Sequence, residues 1–175
     1  MVALMNHVNS TLVLGGARSG KSTYAEGLSA AHDGPLVYIA TAEAHDGEMT
    51  ARIAAHVARR GDAWQTVEAP LELPQAIAEA ARPGHFLLVD CLTLWLTNLI
   101  LGEQDVADHS KQLLEAIAAC QAQLVLVSNE VGLGIVPENA LARRFRDEAG
   151  VLNQKVAQAA DRVVLVTAGL PLTLK

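Results

Sequence analysis

The hydrophobic pattern of this chain alternates between two kinds of segment. Five short runs are almost continuously apolar and rich in β-branched residues, which is typical of strands covered on both faces in a parallel sheet. The runs cover residues 11–15, 36–41, 86–90, 124–128 and 162–167. Alanine-rich stretches with helical character accompany them, over roughly residues 21–32, 46–60, 71–81, 104–121 and 138–160. This order predicts an α/β fold, a doubly wound and mostly parallel sheet with helices on both faces.

Length and composition narrow the class of protein. The chain has 175 residues, which suits one domain, and we expect residues 11–175 to form it after a short N-terminal extension, residues 1–10. Only six residues are aromatic, and the formal net charge is −6. A nucleic-acid surface needs basic residues, and single strands need aromatic rings for stacking. The composition therefore argues against a nucleic-acid partner, and any phosphate must be bound locally.

The cysteines and the apolar runs indicate the cellular compartment in which we expect the protein. Cys91 and Cys120 lack the spacing of a disulfide framework or a zinc site. No apolar run approaches the roughly 18 residues of a transmembrane helix, and residues 1–10 do not resemble a secretory signal. We therefore expect a cytoplasmic protein with no membrane span.

A phosphate-binding motif follows the first apolar run. It matches the pattern G-x-x-x-x-G-K-[ST] and lies between a predicted strand and a predicted helix. The motif residues are Gly15, Gly16, Ala17, Arg18, Ser19, Gly20, Lys21 and Ser22. Glycines let backbone N–H groups surround phosphate oxygens, and the helix adds the positive end of its dipole. Lys21 would reach the β and γ phosphates as a catalytic residue, and the Ser22 hydroxyl would bind Mg²⁺.

An acidic residue ends the third apolar run. Asp90 would lie beside the phosphate loop at the carboxyl edge of the sheet, where a carboxylate helps to hold Mg²⁺. An ordinary turn or helix-capping aspartate is the alternative. Beside a phosphate loop we favour the metal role, so Ser22 and Asp90 are the predicted ligands.

The fourth apolar run leads into a polar pair, Asn129 and Glu130. A Ras-type GTPase would carry an N-K-x-D segment here, so that class is not expected. Ligands bind at the carboxyl edge of open α/β sheets, which makes both residues candidates for ligand contact. Turn chemistry and helix capping explain them equally well.

A histidine lies among arginines on the second predicted helix. Helical spacing places Arg52, His56 and Arg59 or Arg60 on one face. Because neighbouring cations disfavour the charged imidazole, we expect a lowered pKa for His56 and a neutral, nucleophilic ring near pH 7. The arginines would neutralise a triphosphate presented to that ring. A solvated basic helix face with an incidental histidine is the alternative for this segment taken alone.

Together these motifs resemble a known family, the bifunctional adenosylcobinamide kinase and adenosylcobinamide-phosphate guanylyltransferase of cobalamin biosynthesis. The resemblance covers nearly the whole chain after residue 10. Its most specific part is NEVG followed by GIVP and a helix that carries FRD, N and Q. The other matching segments are GGARSGKS at 15–22, IATAEAHDGEM at 39–49, RIAAHVARRGDAW at 52–64, TVEAP at 66–70 and LLVDCLTLWLTNL at 87–99.

The resemblance implies two reactions. ATP or GTP would first phosphorylate the aminopropanol hydroxyl of adenosylcobinamide. GMP from GTP would then be joined to that phosphate, giving adenosyl-GDP-cobinamide and pyrophosphate. In the family the second reaction passes through a histidine joined covalently to GMP, and the histidine of the RI-x-x-H pattern is His56 here. The resemblance also implies a homotrimer.

Nucleotide contacts beyond the phosphate loop are implied by the same resemblance. They fall on Ala40, Thr41, Ala42, Val57, Ala58, Arg59, Arg60, Glu68 and Asp90. Mg²⁺ would accompany the ATP and GTP co-substrates. No single base can be named for the kinase step, for which Asp90 and Glu68 are candidates.

Two other functions stay open at this stage. One is a small P-loop kinase that acts on a nucleotide or a small alcohol, with His56 incidental. The other is a non-catalytic, nucleotide-gated regulatory module. The chain has neither a guanine-reading segment of the Ras type nor an obvious interaction tail, so the second alternative is the less favoured.

Overall fold

The sheet has seven strands and is parallel except at one edge. The computed structural model describes residues 9–43 and 61–175, and within them the strand order is β3-β2-β4-β5-β1-β6-β7. Among these strands only β7 runs antiparallel, beside β6. The carboxyl ends of β1 to β6 therefore meet at one edge of the sheet. The strands are β1 (Ser10–Gly15), β2 (Leu36–Ala40), β3 (Trp64–Glu68), β4 (Phe86–Asp90), β5 (Gln123–Asn129), β6 (Arg162–Thr167) and β7 (Leu170–Thr173).

Helices connect the strands, and two of them begin at side-chain caps. Asp105 Oδ1 and Asn139 Oδ1 each accept two backbone N–H groups at the start of a helix. None of the helices in the described parts of the chain is long and apolar enough to cross a membrane. The helices are α1 (Lys21–Gly27), α2 (Leu73–Ala80), α3 (Leu92–Leu101), α4 (Val106–Ala119) and α5 (Ala140–Ala159), with short 3-10 segments at Leu28–Ala31 and Gly61–Ala63.

Alternating strand residues fill two cores, one on each face of the sheet. Leu124 and Leu126 of β5 belong to the larger core, under helices α2 to α5. Val125 and Val127 belong to the smaller core, which packs against Ala25 of α1. Side chains on a strand point alternately to opposite faces, so residues at the strand ends can be assigned a face in the same way. The predicted class, a mostly parallel sheet covered on both faces, is confirmed.

The hydrophobic pattern finds the five inner strands but misses both edge strands and one helix. β3 and β7 are mostly exposed, so neither forms the continuous apolar run that is typical of a buried strand. Pro171 also interrupts the pattern of β7. Helix α3 is apolar and buried nearly all round, so it shows no amphipathic stripe. The predicted helix at 46–60 lies outside the described residues.

Candidate nucleotide site

Glycine shapes the loop between β1 and α1. Gly15 ends β1, and a Cβ there would lie 2.6 Å from the Val166 carbonyl oxygen and would also collide with Ser19 Oγ. Gly20 immediately precedes α1 with φ of 94°, in the left-handed region that favours glycine. The N–H of Gly169 donates to the Ser19 carbonyl at 2.8 Å. Backbone geometry therefore requires the first and last glycines of the motif.

The ammonium group of Lys21 lies at this loop. It is the first residue of α1 and only 6% exposed. Its Nζ donates to the Gly16 carbonyl at 3.1 Å, so the side chain folds back over the loop instead of extending into solvent. Ser22 follows and is half-buried. A buried cation beside the backbone N–H groups of a turn suits a ligand with several anionic oxygens, such as a chain of phosphates.

Asp90 ends β4 at the same edge, with only β5 between it and β1. The Tyr38 hydroxyl donates to Asp90 Oδ2 at 3.2 Å. The peptide bond from Asp90 to Cys91 is cis. Thr41 Oγ1 accepts from the Cys91 N–H at 2.8 Å and donates to the Cys91 carbonyl at 2.7 Å. The buried Thr41 hydroxyl therefore fixes the backbone that follows the carboxylate.

The other predicted contacts lie along this edge at increasing distance from the loop. Ala40 ends β2 and pairs with Asp90 on one side and Glu68 on the other, and Thr41 and Ala42 follow it. Glu68 ends β3, four strands from β1. At about 4.8 Å per strand this is roughly 19 Å. The structure therefore brings Ala40 and Thr41 to Asp90, and it places the backbone of Glu68 far from the loop, at the other side of the sheet edge.

Part of the predicted site lies outside the described residues. This part contains the predicted nucleophile, His56, and its basic neighbours. The neighbours are Arg52, Val57, Ala58, Arg59 and Arg60. Their roles stay predictions.

Cys91 is a second nucleophilic side chain close to Asp90, and its environment keeps it neutral. Burial, and secondarily the charge of Asp90, raise the pKa of the Cys91 thiol from 9.0 to about 11. The thiolate is the reactive form of cysteine. Cys91 is therefore a protonated core residue near pH 7 and does not act as a nucleophile there.

Three polar side chains that support this edge escape prediction from the sequence. Tyr38 lies within an apolar run, and Thr93 and Asn153 lie in helices, where nothing in the pattern separates them from ordinary core or surface positions. Thr93 Oγ1 accepts from the Asn129 N–H at 2.7 Å, and Asn153 Nδ2 donates to the Asn129 carbonyl at 3.1 Å. The sequence offers only weak indications of these residues. Thr93 lies three residues after Asp90, and Asn153 is the asparagine of the helix that resembles the family.

Related proteins identify the family. A sequence model described as cobinamide kinase / cobinamide phosphate guanyltransferase matches residues 11–174. The bifunctional adenosylcobalamin biosynthesis protein CobP of Pseudomonas aeruginosa is 51% identical over 166 residues, covering 94% of this chain and 96% of its own. The proteins named CobU from Salmonella typhimurium and Escherichia coli are each 44% identical, covering 94% of this chain and 98% of theirs.

One solved structure supports the fold independently. A protein of Pyrococcus horikoshii OT3 superposes with a TM-score of 0.53 at 8% identity, covering 95% of this chain and 86% of the other. At that identity the likeness concerns the fold alone. The sequence matches carry the family assignment, because they span nearly the whole of this chain and of its relatives. They confirm the resemblance predicted from the motifs: the chain belongs to the cobinamide kinase / cobinamide phosphate guanyltransferase family.

Proposed function

We propose that this protein is a bifunctional transferase of cobalamin biosynthesis. It phosphorylates adenosylcobinamide with ATP or GTP, and it then transfers GMP from GTP to adenosylcobinamide phosphate, giving adenosyl-GDP-cobinamide and pyrophosphate. The observation that carries the nucleotide chemistry is the buried Lys21 ammonium folded over a glycine-shaped loop, with the Asp90 carboxylate two strands away. Relatives of nearly equal length bear the name bifunctional adenosylcobalamin biosynthesis protein.

The kinase step depends on position and charge. The terminal phosphoryl group of the nucleotide lies in the loop, where the backbone N–H groups and Lys21 stabilise the negative charge of its oxygens. The acceptor hydroxyl oxygen attacks phosphorus in line with the bridging oxygen, which leaves on the nucleoside diphosphate. Phosphoryl transfer leaves little covalent work for the protein, so positioning by the loop and charge stabilisation by Lys21 are the main contributions of this chain.

Ser22 and Asp90 suit Mg²⁺ as the predicted ligands. Their hydroxyl and carboxylate oxygens are of the kind that Mg²⁺ prefers, and protein sites for this ion need only one or two carboxylates because phosphate oxygens and water complete the set. Asp90 continues the alternation of β4 from Leu88, which belongs to the core packed against α1, so it lies on the face from which Ser22 comes. When bound, the ion neutralises charge on the phosphates.

The guanylyl step uses His56 as a nucleophile in two displacements. The neutral imidazole first attacks the α phosphorus of GTP, a nitrogen–phosphorus bond forms, and pyrophosphate leaves. An oxygen of adenosylcobinamide phosphate then attacks the same phosphorus, and the histidine leaves. Arg52, Arg59 and Arg60 neutralise the phosphates and keep the imidazole uncharged.

The surroundings of the site complete the proposal. Ala40, Thr41, Ala42 and Glu68 contact the nucleoside part of the nucleotide, and Val57 to Arg60 contact GTP beside His56. Residues 11–175 act as one domain, and three copies form a homotrimer in the cytoplasm. One nucleotide site then serves both reactions.

A labelling experiment tests the guanylyl half. The full chain is incubated with Mg²⁺ and GTP that is radiolabelled at the α phosphate. We expect a covalent label that survives base, is lost in acid, and is absent in His56→Ala. His45→Ala is the matched control, eleven residues earlier, and keeps the label. A wild-type protein that takes up no label overturns guanylyl transfer through the protein, and a labelled His56→Ala variant assigns the nucleophile to another residue.

A further inference from the structure

Strand β5 ends between the two parts of the nucleotide site. It lies between β4, which carries Asp90, and β1, which leads into the phosphate loop. In the register of the sheet Asn129 pairs with Gly15, and Asp90 pairs with Val127. Asn129 is therefore the last residue of the middle strand, level with the first residue of the loop.

Strand alternation assigns a face to the Asn129 side chain. Val125 and Val127 belong to the core that packs against α1, and Asn129 is the next residue on that side. Val13 belongs to the same core, which places Gly15 there as well. The amide of Asn129 is thus on the face from which the loop and Lys21 approach, between the loop and Asp90.

The Asn129 side chain also carries a hydrogen-bonding atom that no described residue pairs with. Its Oδ1 is buried and has no hydrogen-bond partner among the described residues, and the same holds for Ser19 Oγ of the loop. A buried polar atom left unpaired costs free energy, and such atoms are uncommon in folded proteins. One such atom at the end of β5 and another within the neighbouring anion-binding loop indicate a place that a polar ligand completes.

Local turn chemistry does not account for Asn129. In a turn or a helix cap, an asparagine side chain accepts hydrogen bonds from backbone N–H groups a few residues further along the chain. Here Glu130 and Asn139 do so instead: Glu130 Oε1 accepts from the Gly132 N–H at 2.6 Å, and Asn139 Oδ1 caps α5. The turn and the helix cap are both supplied by other side chains.

The backbone of Asn129 is fixed from the opposite face of the sheet. Thr93 Oγ1 accepts from its N–H at 2.7 Å, and Asn153 Nδ2 donates to its carbonyl at 3.1 Å. Asn153 is oriented in turn by Ser128, whose Oγ donates to Asn153 Oδ1 at 2.7 Å. Side chains from α3 and α5 therefore hold one strand end in place, as a pre-organised contact requires.

We propose that the Asn129 side-chain amide contacts the terminal phosphoryl group of the nucleotide in the phosphate loop, with Thr93 and Asn153 as positioning residues. This inference rests on the proposed nucleotide site. Because Oδ1 is an acceptor, the amide turns over about its Cβ–Cγ bond when the nucleotide binds, so that Nδ2 takes the buried position and donates to a phosphoryl oxygen. During the transfer the bond to the bridging oxygen breaks and the bond to the acceptor oxygen forms. The acceptor proton is released to water, and Asn129 itself forms no covalent bond. A fixed amide dipole stabilises the charge of the transition state without reorganising.

Asn129→Ala in the full chain is the direct test, with Asn139→Ala as the control asparagine. We measure kcat and KM for phosphorylation of adenosylcobinamide, and the affinities for ADP and for a non-hydrolysable ATP analogue. Asn129→Ala is expected to lower kcat about 100-fold and to weaken binding of the ATP analogue. Its affinity for ADP and its KM for adenosylcobinamide are expected to stay within about twofold of the wild-type values. Asn139→Ala is expected to leave all four values unchanged. An unchanged kcat, or an equal loss of ADP affinity, overturns the proposal.

A second pair of variants tests the positioning role without changing Asn129. Thr93→Ser keeps the hydroxyl that accepts from Asn129 and is expected to retain kcat, whereas Thr93→Val is expected to lower it about tenfold at unchanged ADP affinity. Equal kcat in the two variants overturns the positioning role. If Asn129→Ala does not fold, the two Thr93 variants serve as the test of the proposal. If the wild type phosphorylates no cobinamide, the proposed function fails. The proposal for Asn129 is then tested by binding alone: Asn129→Ala must lower the affinity for the ATP analogue more than the affinity for ADP.

Discussion

The two ends of strand β1 use polar groups in opposite ways. At its amino end, Asp161 Oδ2 accepts from the Asn9 N–H, the Ser10 N–H and the Ser10 hydroxyl at 2.9 to 3.0 Å, and the Asp161 N–H donates back to Ser10 Oγ at 3.0 Å. At its carboxyl end, Ser19 Oγ and Asn129 Oδ1 are buried without partners among the described residues. One end satisfies its own polar atoms, whereas the other leaves two of them unpaired among the described residues.

The difference separates stability from function along a single strand. Reciprocal hydrogen bonds at the amino end join the starts of β1 and β6 and need nothing from outside the protein. A buried cation and unpaired polar atoms at the carboxyl end are costly for the free protein. We therefore expect substitutions at the carboxyl end to change activity more than stability, and substitutions at the amino end to do the reverse.

The largest effect is expected for Lys21→Ala. The variant loses the ammonium that stabilises phosphoryl charge, so kcat/KM for adenosylcobinamide phosphorylation is expected to fall about 100- to 1000-fold. The midpoint of urea unfolding without nucleotide is expected to change little. Lys111→Ala is the matched control, because Lys111 is 75% exposed and pairs across one helical turn with Glu115. Near-wild-type turnover by Lys21→Ala would show that the loop is not the phosphoryl site.

A smaller effect, of the opposite kind, is expected for Asp161→Asn. Partial burial raises the pKa of Asp161, but the hydrogen bonds from Ser10 and Asn9 outweigh it and hold the pKa below 3.8. The charged carboxylate therefore stabilises the fold above about pH 4, and this contribution is lost as the pH falls through the lowered pKa. At pH 7 the loss on substitution is expected to be about 1 kcal/mol, because solvent screens a group this exposed.

Urea unfolding at pH 7 and pH 3, together with kinase assays, checks this prediction. The difference in stability between wild type and Asp161→Asn is expected to shrink at pH 3, and kcat is expected to stay unchanged at pH 7. Asp33→Asn, on an exposed residue, makes the same change in net charge. A loss of kcat as large as that of Lys21→Ala would remove the distinction between the two ends of β1.

Sequence reasoning reaches the parts of the fold that depend on short-range pattern. The five inner strands are recognisable because burial on both faces leaves them nearly continuously apolar, and the phosphate loop because its glycines and Lys21 occupy fixed positions in the chain. Edge strands β3 and β7 escape because exposure gives them mixed composition. Helix α3 escapes because burial on all sides removes its polar stripe.

The supporting groups of the site depend on long-range register, which the sequence does not display. Thr93 and Asn153 come together at Asn129 only because α3 and α5 pack beside the end of β5. Tyr38 reaches Asp90 across 52 residues of sequence, from within a strand that looks like ordinary core. The role of His56 rests on charge spacing and family resemblance alone, and it stays a prediction.

The most direct measurement of the central claim is the mass of the product formed from adenosylcobinamide. With GTP and Mg²⁺ the full chain is expected to form adenosyl-GDP-cobinamide and one pyrophosphate per acceptor, whereas ATP alone is expected to stop the reaction at adenosylcobinamide phosphate. An acceptor that gains phosphate but never GMP would reduce the protein to a kinase. An acceptor of unchanged mass, with GTP hydrolysed or intact, would contradict the account.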